Sequence, residues 1–139
     1  MKGTGVSEYT LVGRGEAIDF MAEYPGYGEM LSYTGALGAE QVALTWRRMP
    51  PRTGGKGSYG HRHQTQEELY LVLAGEIKAK IGEEEITLGR GDALRVSPNA
   101  FRSIHNDGPH EAELVICSVR VEDPQSETET APDFWHESD

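Results

Sequence analysis

Two histidines separated by one residue, His61 and His63, are the side chains of this sequence best suited to bind a metal ion. In a β-strand, residues two apart point to the same face, so both imidazoles can lie on one side. Glu68 follows after a short polar turn and begins the next predicted strand, which brings a carboxylate within reach of the same centre. Two imidazole nitrogens and one carboxylate oxygen suit a divalent ion, Fe, Mn, Ni or Zn, with further positions open to water or a ligand.

The segments that position these residues are short alternating runs bounded by Gly, Pro or Asn, which is typical of antiparallel strands and their turns. No long helix is predicted. The clearest strands are 41–48, 68–74, 77–81, 85–88, 93–96, 101–105 and 112–121, with weaker candidates at 8–12 and 30–33. Many short strands joined by tight turns predict an all-β sandwich or barrel.

The 139 residues fit one domain, which we divide into three parts. Residues 1–40 are predicted to be N-terminal strands or an extension that packs on the barrel, 41–121 the barrel itself, and 122–139 an acidic C-terminal tail. The stretch Pro124–Thr130 is polar enough to be mobile. Phe134 and Trp135 are expected to anchor the end of the tail against the barrel or a partner subunit.

The net charge of −10 arises mostly from the tail, because residues 122–139 contain seven carboxylates and no Lys or Arg. Residues 1–121 therefore carry only −3, and no basic face is expected, so we exclude nucleic acid as a partner. No apolar run reaches the roughly 18 residues of a membrane span, and the first residues lack a secretory leader pattern. We therefore expect a cytoplasmic protein with no membrane partner.

The spacing of Gly55, His61, His63, Glu68 and Gly75 resembles the first motif of the cupin superfamily at every fixed position. The second motif is matched in part, by Gly91, Pro98 and Asn106. The resemblance covers roughly residues 41–121. It implies a double-stranded β-helix, or jelly-roll, barrel that is commonly dimeric, so a homodimer is expected.

The departure from the second motif lies at Arg102, which stands where the last metal-binding histidine of the family would be, while Ala100 replaces a glycine. A permanent cation beside a divalent ion is unfavourable. Three arrangements remain, in this order: a three-ligand site of His61, His63 and Glu68; a shifted register that brings in His105; or no metal, with Arg102 binding an anion. In a regular strand His105 faces away from Arg102, which favours a surface or turn position.

Strand parity also predicts the surroundings of the site. Tyr70 and Val72 share the parity of Glu68 and should line the pocket, while Leu69, Leu71 and Leu73 pack on the other side. Tyr70 is the one candidate general acid or base that parity indicates, and its more common role is packing.

Two functions from different classes follow. The first is a metal-dependent protein that acts on or binds a small anionic organic molecule near Arg102, since cupins include dioxygenases, decarboxylases and isomerases. The second is a metal-free ligand-binding or structural module in which Glu68 pairs with Arg102. The resemblance does not choose between them, because a fold does not fix a function.

Overall fold

The polypeptide forms two antiparallel β-sheets, and the computed structural model describes residues 8–137. The first sheet has the spatial order β1 (Ile18–Asp19), β2 (Glu29–Ser32), β3 (Val42–Met49), β11 (Ala112–Val119), β6 (Glu68–Ala74) and β9 (Ala93–Val96). The second has the order β12 (Thr128–Ala131), β5 (Gly60–His63), β10 (Arg102–Asn106), β7 (Glu76–Ile81) and β8 (Glu84–Gly89), and β4 (Thr53–Gly54) also pairs with β10. The predicted all-β jelly-roll fold is confirmed.

Helical structure is sparse between residues 8 and 137. It is limited to the four-residue helices α1 (Thr34–Leu37) and α2 (Pro124–Glu127) and to two 3-10 turns at Arg14–Glu16 and Pro25–Tyr27. Within this range, no helix has the length and apolar character required to cross a bilayer.

The core lies between the sheets, because alternate residues of the strands of both sheets point inward. Its buried members are Met49, Tyr70, Val72, Ile77, Ala79, Leu88, Val96, Ala112 and Leu114. The inward direction of Tyr70 and Val72 agrees with strand parity. On the opposite face of β6, Leu69, Leu71 and Leu73 remain 41–47% exposed, so the expected packing is not completed within one chain.

The glycine that ends the first motif has a clear structural role. Gly75 joins β6 to β7 with φ of +72°, in the left-handed region where residues with a Cβ are strained. A Cβ at this position would also lie 2.5 Å from the backbone oxygen of Glu111. Any other residue would therefore disturb the connection by which the chain passes from the first sheet to the second.

The N-terminal part is less regular than the barrel. The predicted strand at 30–33 corresponds to β2, but residues 8–12 form no strand, so that prediction is wrong. The segment 17–24 contains β1 and a turn. Side chain–backbone bonds hold this turn against β2, since the Asp19 carboxylate accepts bonds from the backbone amides of Met21 and Met30.

The C-terminal part is folded back on the barrel. Pro124–Glu127 is α2, and β12 pairs along the whole of β5, so the predicted mobility of this stretch is wrong. Backbone pairing overrode the polar composition. The predicted anchor against the barrel is confirmed for both aromatic residues. Trp135 is 1% exposed and packs against the His105 ring at 6.0 Å, and the Phe134 ring lies 6.1 Å from the Phe101 ring.

Candidate metal centre

Three candidate ligands converge between the two sheets. His61 and His63 project from β5 in the second sheet, and Glu68 projects from the first residue of β6 in the first sheet. One donor atom from each residue lies within 4.8 Å of the others. The two imidazole rings meet edge to face, with centroids 4.9 Å apart. The structure therefore brings together the three residues that the sequence singles out for metal binding.

His63 is the most enclosed of the three, with 8% exposure. Its Nδ1 lies 3.3 Å from the Thr128 hydroxyl on β12, and its backbone amide donates to the Pro98 carbonyl at 2.7 Å. Its Nε2 is buried and makes no hydrogen bond, and lies 3.6 Å from Glu68 Oε2. A buried polar atom without a partner is uncommon and calls for a physical reason.

The two oxygens of Glu68 have different surroundings. Oε1 accepts the Tyr70 hydroxyl at 2.8 Å and lies 3.2 Å from Arg102 Nε, whereas Oε2 faces His63. Burial disfavours the charged carboxylate, but the pKa of Glu68 is lowered, with the hydrogen bond from Tyr70 and the positive charge of Arg102 favouring the anion. Glu68 is therefore an anion with one oxygen committed and one directed at the site.

Arg102 is fully buried, and its neighbours are protein oxygens. Nη1 donates to the carbonyls of Pro98 at 3.1 Å and Ala100 at 2.8 Å, and Nη2 donates to Ser97 at 3.3 Å. Its backbone pairs with His61 across the β5–β10 ladder. The contact with Glu68 is the ion pair considered in the sequence analysis. It is close in distance without being a well-directed hydrogen bond, since Nε has no hydrogen-bond partner.

The remaining polar groups at the site have shifted protonation equilibria. Burial lowers the pKa of His61 to about 4, an effect that His63 and Arg102 reinforce and Glu68 opposes, so His61 is neutral at pH 7. Burial raises the pKa of Tyr70, and the charge of Glu68 adds to this. Tyr70 therefore supports Glu68 as a hydrogen-bond donor and is poorly suited to exchange a proton near neutral pH.

These residues fit a divalent ion. Ligand atoms that share one tetrahedral ion at about 2.0–2.2 Å lie about 3.3–3.6 Å apart. His63 Nε2 and Glu68 Oε2 are 3.6 Å apart and all three donors lie within 4.8 Å, so coordination needs a closure of about 1 Å. A metal would also satisfy the buried Nε2 of His63. The neutral His61 ring and the ionised Glu68 are already in the protonation states that coordination requires. Arg102 occupies the position of a fourth ligand and supplies none.

His105 does not join this group. β10 is regular from Arg102 to Asn106, so the register shift that would bring His105 inward is absent. As parity predicts, the ring lies on the opposite face of the sheet. It is nevertheless 8% exposed, so the expectation of a surface histidine is wrong. The tail residue Trp135 covers it, which is a long-range contact that local composition does not reveal.

Two tail residues at the site were missed by sequence reasoning. The Thr128 hydroxyl contacts His63, and the Glu127 carboxylate accepts bonds from the loop between His63 and Glu68. The sequence signal for these residues was weak. The Thr–Glu–Thr stretch at 128–130 can form an edge strand, but the acidic composition around it favoured the prediction of a mobile tail.

The family model described as "Cupin domain", Cupin_2, matches residues 47–118, which contain all of the candidate ligands. The chain belongs to the cupin family. A solved cupin protein from Bacteroides fragilis is 20% identical with a TM-score of 0.66, and the match covers 84% of this cupin and 87% of that chain. A structure described as a sugar phosphate isomerase of the cupin superfamily, from Silicibacter pomeroyi, is 16% identical with a TM-score of 0.66, covering 88% and 92%. At these identities the likeness establishes the fold alone.

A curated relative is an uncharacterized protein of Methanocaldococcus jannaschii, 29% identical over 58 residues. The match covers 42% of this cupin and 46% of the relative, so it spans about half the length of that protein.

Proposed function

We propose that this cupin binds a divalent ion, Fe, Mn, Ni or Zn, through His61, His63 and Glu68 and uses it to hold a small anionic organic molecule. The observation that carries the proposal is the buried Nε2 of His63, which has no hydrogen-bond partner and faces the free oxygen of Glu68. A buried polar atom without a hydrogen-bond partner is unfavourable, and a cation bound between Nε2 and the carboxylate would supply one.

The charge of the site supports an anionic ligand. Without metal, the positive Arg102 and the negative Glu68 compensate each other. With a divalent ion and neutral imidazoles, the enclosed site carries a net charge of about +2, which attracts an anion strongly at low dielectric. We therefore propose that Arg102 contributes to ligand binding through its charge, since Glu68 and three backbone carbonyls surround its donors.

Sugar phosphates and small carboxylates are the first ligands to screen. The Silicibacter pomeroyi protein of similar fold is described as a sugar phosphate isomerase, and a phosphorylated sugar has the required negative charge. Such a ligand would bind only to the metal-loaded protein. The bound metal would supply Lewis acidity toward a ligand oxygen, while the protein residues hold and orient it.

The test is metal analysis by mass spectrometry of protein purified without chelator or an affinity-column metal. We expect near-stoichiometric divalent metal in the native protein and none in the double variant His61→Ala, His63→Ala. The matched control is His110→Ala, His136→Ala, which removes two exposed histidines outside the site and should retain the metal. Equal metal content in both double variants would contradict the proposal.

A metal-free barrel is the second candidate, and the ion pair between Glu68 and Arg102 favours it. In that case the pair would be a structural link between the sheets. The native protein would then bind none of the four metals after reconstitution, and removal of both histidines would leave ligand binding unchanged.

We also propose that the partner of this cupin is a second copy. Apolar side chains on the outer face of the first sheet are 36–54% exposed: Val42, Leu44, Leu69, Leu71, Leu73 and Val119. On the second sheet, Trp135 of the same chain packs against His105 on the outer face. A self-complementary apolar face is well suited to a two-fold dimer. Leu71→Lys should shift the mass in sedimentation from dimer to monomer, whereas Thr87→Lys, at an exposed position of the other sheet, should not.

A further inference from the structure

The C-terminal segment reaches the proposed metal centre from outside the matched family region. In the ladder between β12 and β5, Thr128 pairs with His63 and Thr130 pairs with His61. Thr128 Oγ1 lies 3.3 Å from His63 Nδ1 and also donates to the Pro124 carbonyl at 2.7 Å. One threonine hydroxyl thus connects a candidate ligand to the first residue of α2.

The single proton of that hydroxyl decides which nitrogen of His63 is protonated. A hydroxyl donates one hydrogen bond and accepts others, and the Thr128 proton is directed at the Pro124 carbonyl. At His63 the Thr128 oxygen must therefore accept, so Nδ1 carries the proton. The lone pair of the neutral ring is then on Nε2, the buried atom that faces Glu68 Oε2.

We propose that Thr128 is a positioning residue that holds His63 with its proton on Nδ1 and its Nε2 lone pair directed at the metal. The effect on metal binding rests on the proposed function, whereas the position of the His63 proton can be measured without metal. Partners of this kind fix the tautomer and orientation of ligating histidines, and their removal typically weakens metal binding about 10–100-fold.

The neighbouring Glu127 strengthens the assignment. Its Oε1 accepts bonds from the backbone amide and hydroxyl of Thr65 and, at 2.7 Å, from the amide of Gln66. Its backbone carbonyl accepts the amide of Gln64 at 3.0 Å. These bonds hold the loop that joins His63 to Glu68, so the segment Glu127–Thr128 constrains the two ligands on either side of the loop.

The first measurement is the tautomer of His63 in the metal-free protein at neutral pH or above, by long-range proton–nitrogen correlation NMR. The native protein and Thr128→Ser should both carry the proton on Nδ1, because serine retains the hydroxyl. Thr128→Val, which has nearly the same shape but no hydroxyl, should lose this preference. A native His63 with its proton on Nε2 would overturn the inference without any variant.

The second measurement is the dissociation constant for Zn²⁺ and Co²⁺, with the Co²⁺ absorption spectrum as a report on ligand geometry. We expect Thr128→Val to weaken both by about tenfold or more and Thr128→Ser to match the native protein. Thr130→Val, in the same edge strand opposite His61, controls for disturbance of β12. Native-like affinity in Thr128→Val would overturn the assignment.

The two proposals fail in distinguishable ways. If the native protein binds no metal but has the proton on Nδ1 and loses it in Thr128→Val, the metal function is wrong and the positioning role stands. If metal binds tightly and Thr128→Val changes neither tautomer nor affinity, the positioning role is wrong and the metal function stands.

Discussion

Glu67 and Glu68 are consecutive residues, and each pairs with an arginine, but the two pairs lie in different environments. Glu67 lies 2.9 Å from Arg95, with side chains 50% and 57% exposed. Glu68 lies 3.2 Å from Arg102, with side chains 13% and 0% exposed. The alternation of β6 causes the difference, because it turns one carboxylate to solvent and the next to the space between the sheets.

The comparison shows that burial, more than pair distance, determines the consequence of such a contact. Water screens the surface pair, whose contribution is small even at short range. In the buried pair neither charge is well solvated, so each depends on its partner. The buried pair also fixes Glu68 Oε1, which leaves Oε2 as the one oxygen available to a metal.

The largest expected effect is on stability after Glu68→Gln in the metal-free protein. The substitution leaves the charge of Arg102 buried without its anion, so we expect the free energy of unfolding to fall by about 3–5 kcal/mol. Urea unfolding at neutral pH with a chelator present measures it.

A double variant sharpens this result. Glu68→Gln combined with Arg102→Met removes both charges and should recover part of the loss, because no uncompensated ion remains. If Glu68→Gln alone costs less than about 1 kcal/mol, the buried pair behaves like a surface pair and the comparison fails.

The two arginines also show how far sequence reasoning extends. Strand alternation and turn residues were enough to predict the bounds of β6 and β9 and the inward direction of Glu68 and Tyr70, because these are local properties. The motif spacing predicted which residues converge. The carbonyl cradle of Arg102 depends on how the turn at Ser97–Ala100 closes on β5, and no local pattern specifies that closure.

The tail was the main error for the same reason. Its composition is polar, yet Thr128 pairs with His63, 65 positions earlier in the chain. A strand pairs with the edge of a sheet through backbone hydrogen bonds, which depend little on the polarity of its side chains. The alternation of apolar and polar residues identifies strands that bury one face. It gives little signal for an edge strand such as β12, whose side chains are mostly exposed.

The second prediction concerns acid in the metal-free protein. His61 has its pKa lowered by burial from 6.5 to about 4, so between these values the unfolded chain binds the proton and the folded chain does not. Stability is therefore fully present above about pH 6.5 and falls as the pH approaches 4, by up to about 3 kcal/mol. The pKa of Glu68 is also lowered, which adds to the loss below its unfolded value.

Denaturant unfolding at several pH values measures this slope. His61→Gln cannot titrate and should have a smaller slope between pH 6.5 and 4. A slope that is unchanged in this variant would assign the acid sensitivity to other groups and remove His61 from the account.

The third prediction exchanges the cation for a ligand. Arg102→His removes the positive charge from the position next to His61 and supplies an imidazole, so the affinity for Zn²⁺ should rise by about tenfold or more. Calorimetric titration measures it, and Arg102→Gln separates the loss of charge from the gain of a ligand. A decrease in affinity would mean that Arg102 has two opposing effects on metal binding. Its contact with Glu68 would then favour binding more than its positive charge opposes it.

The smallest expected effect is that of Glu67→Gln, which breaks the exposed pair with Arg95. The loss should be about 0.2–1 kcal/mol at low ionic strength, because water already solvates both partners, and it should shrink further in about 1 M salt as the charges are screened. Metal affinity should not change, since the side chain points away from the site. Urea unfolding at two salt concentrations, alongside Glu68→Gln, measures the contrast directly. If Glu67→Gln lowered the free energy of unfolding as much as Glu68→Gln does, and salt did not change that loss, the two carboxylates would contribute equally to stability. Burial could then not explain the difference between the exposed pair and the pair formed by Glu68 and Arg102.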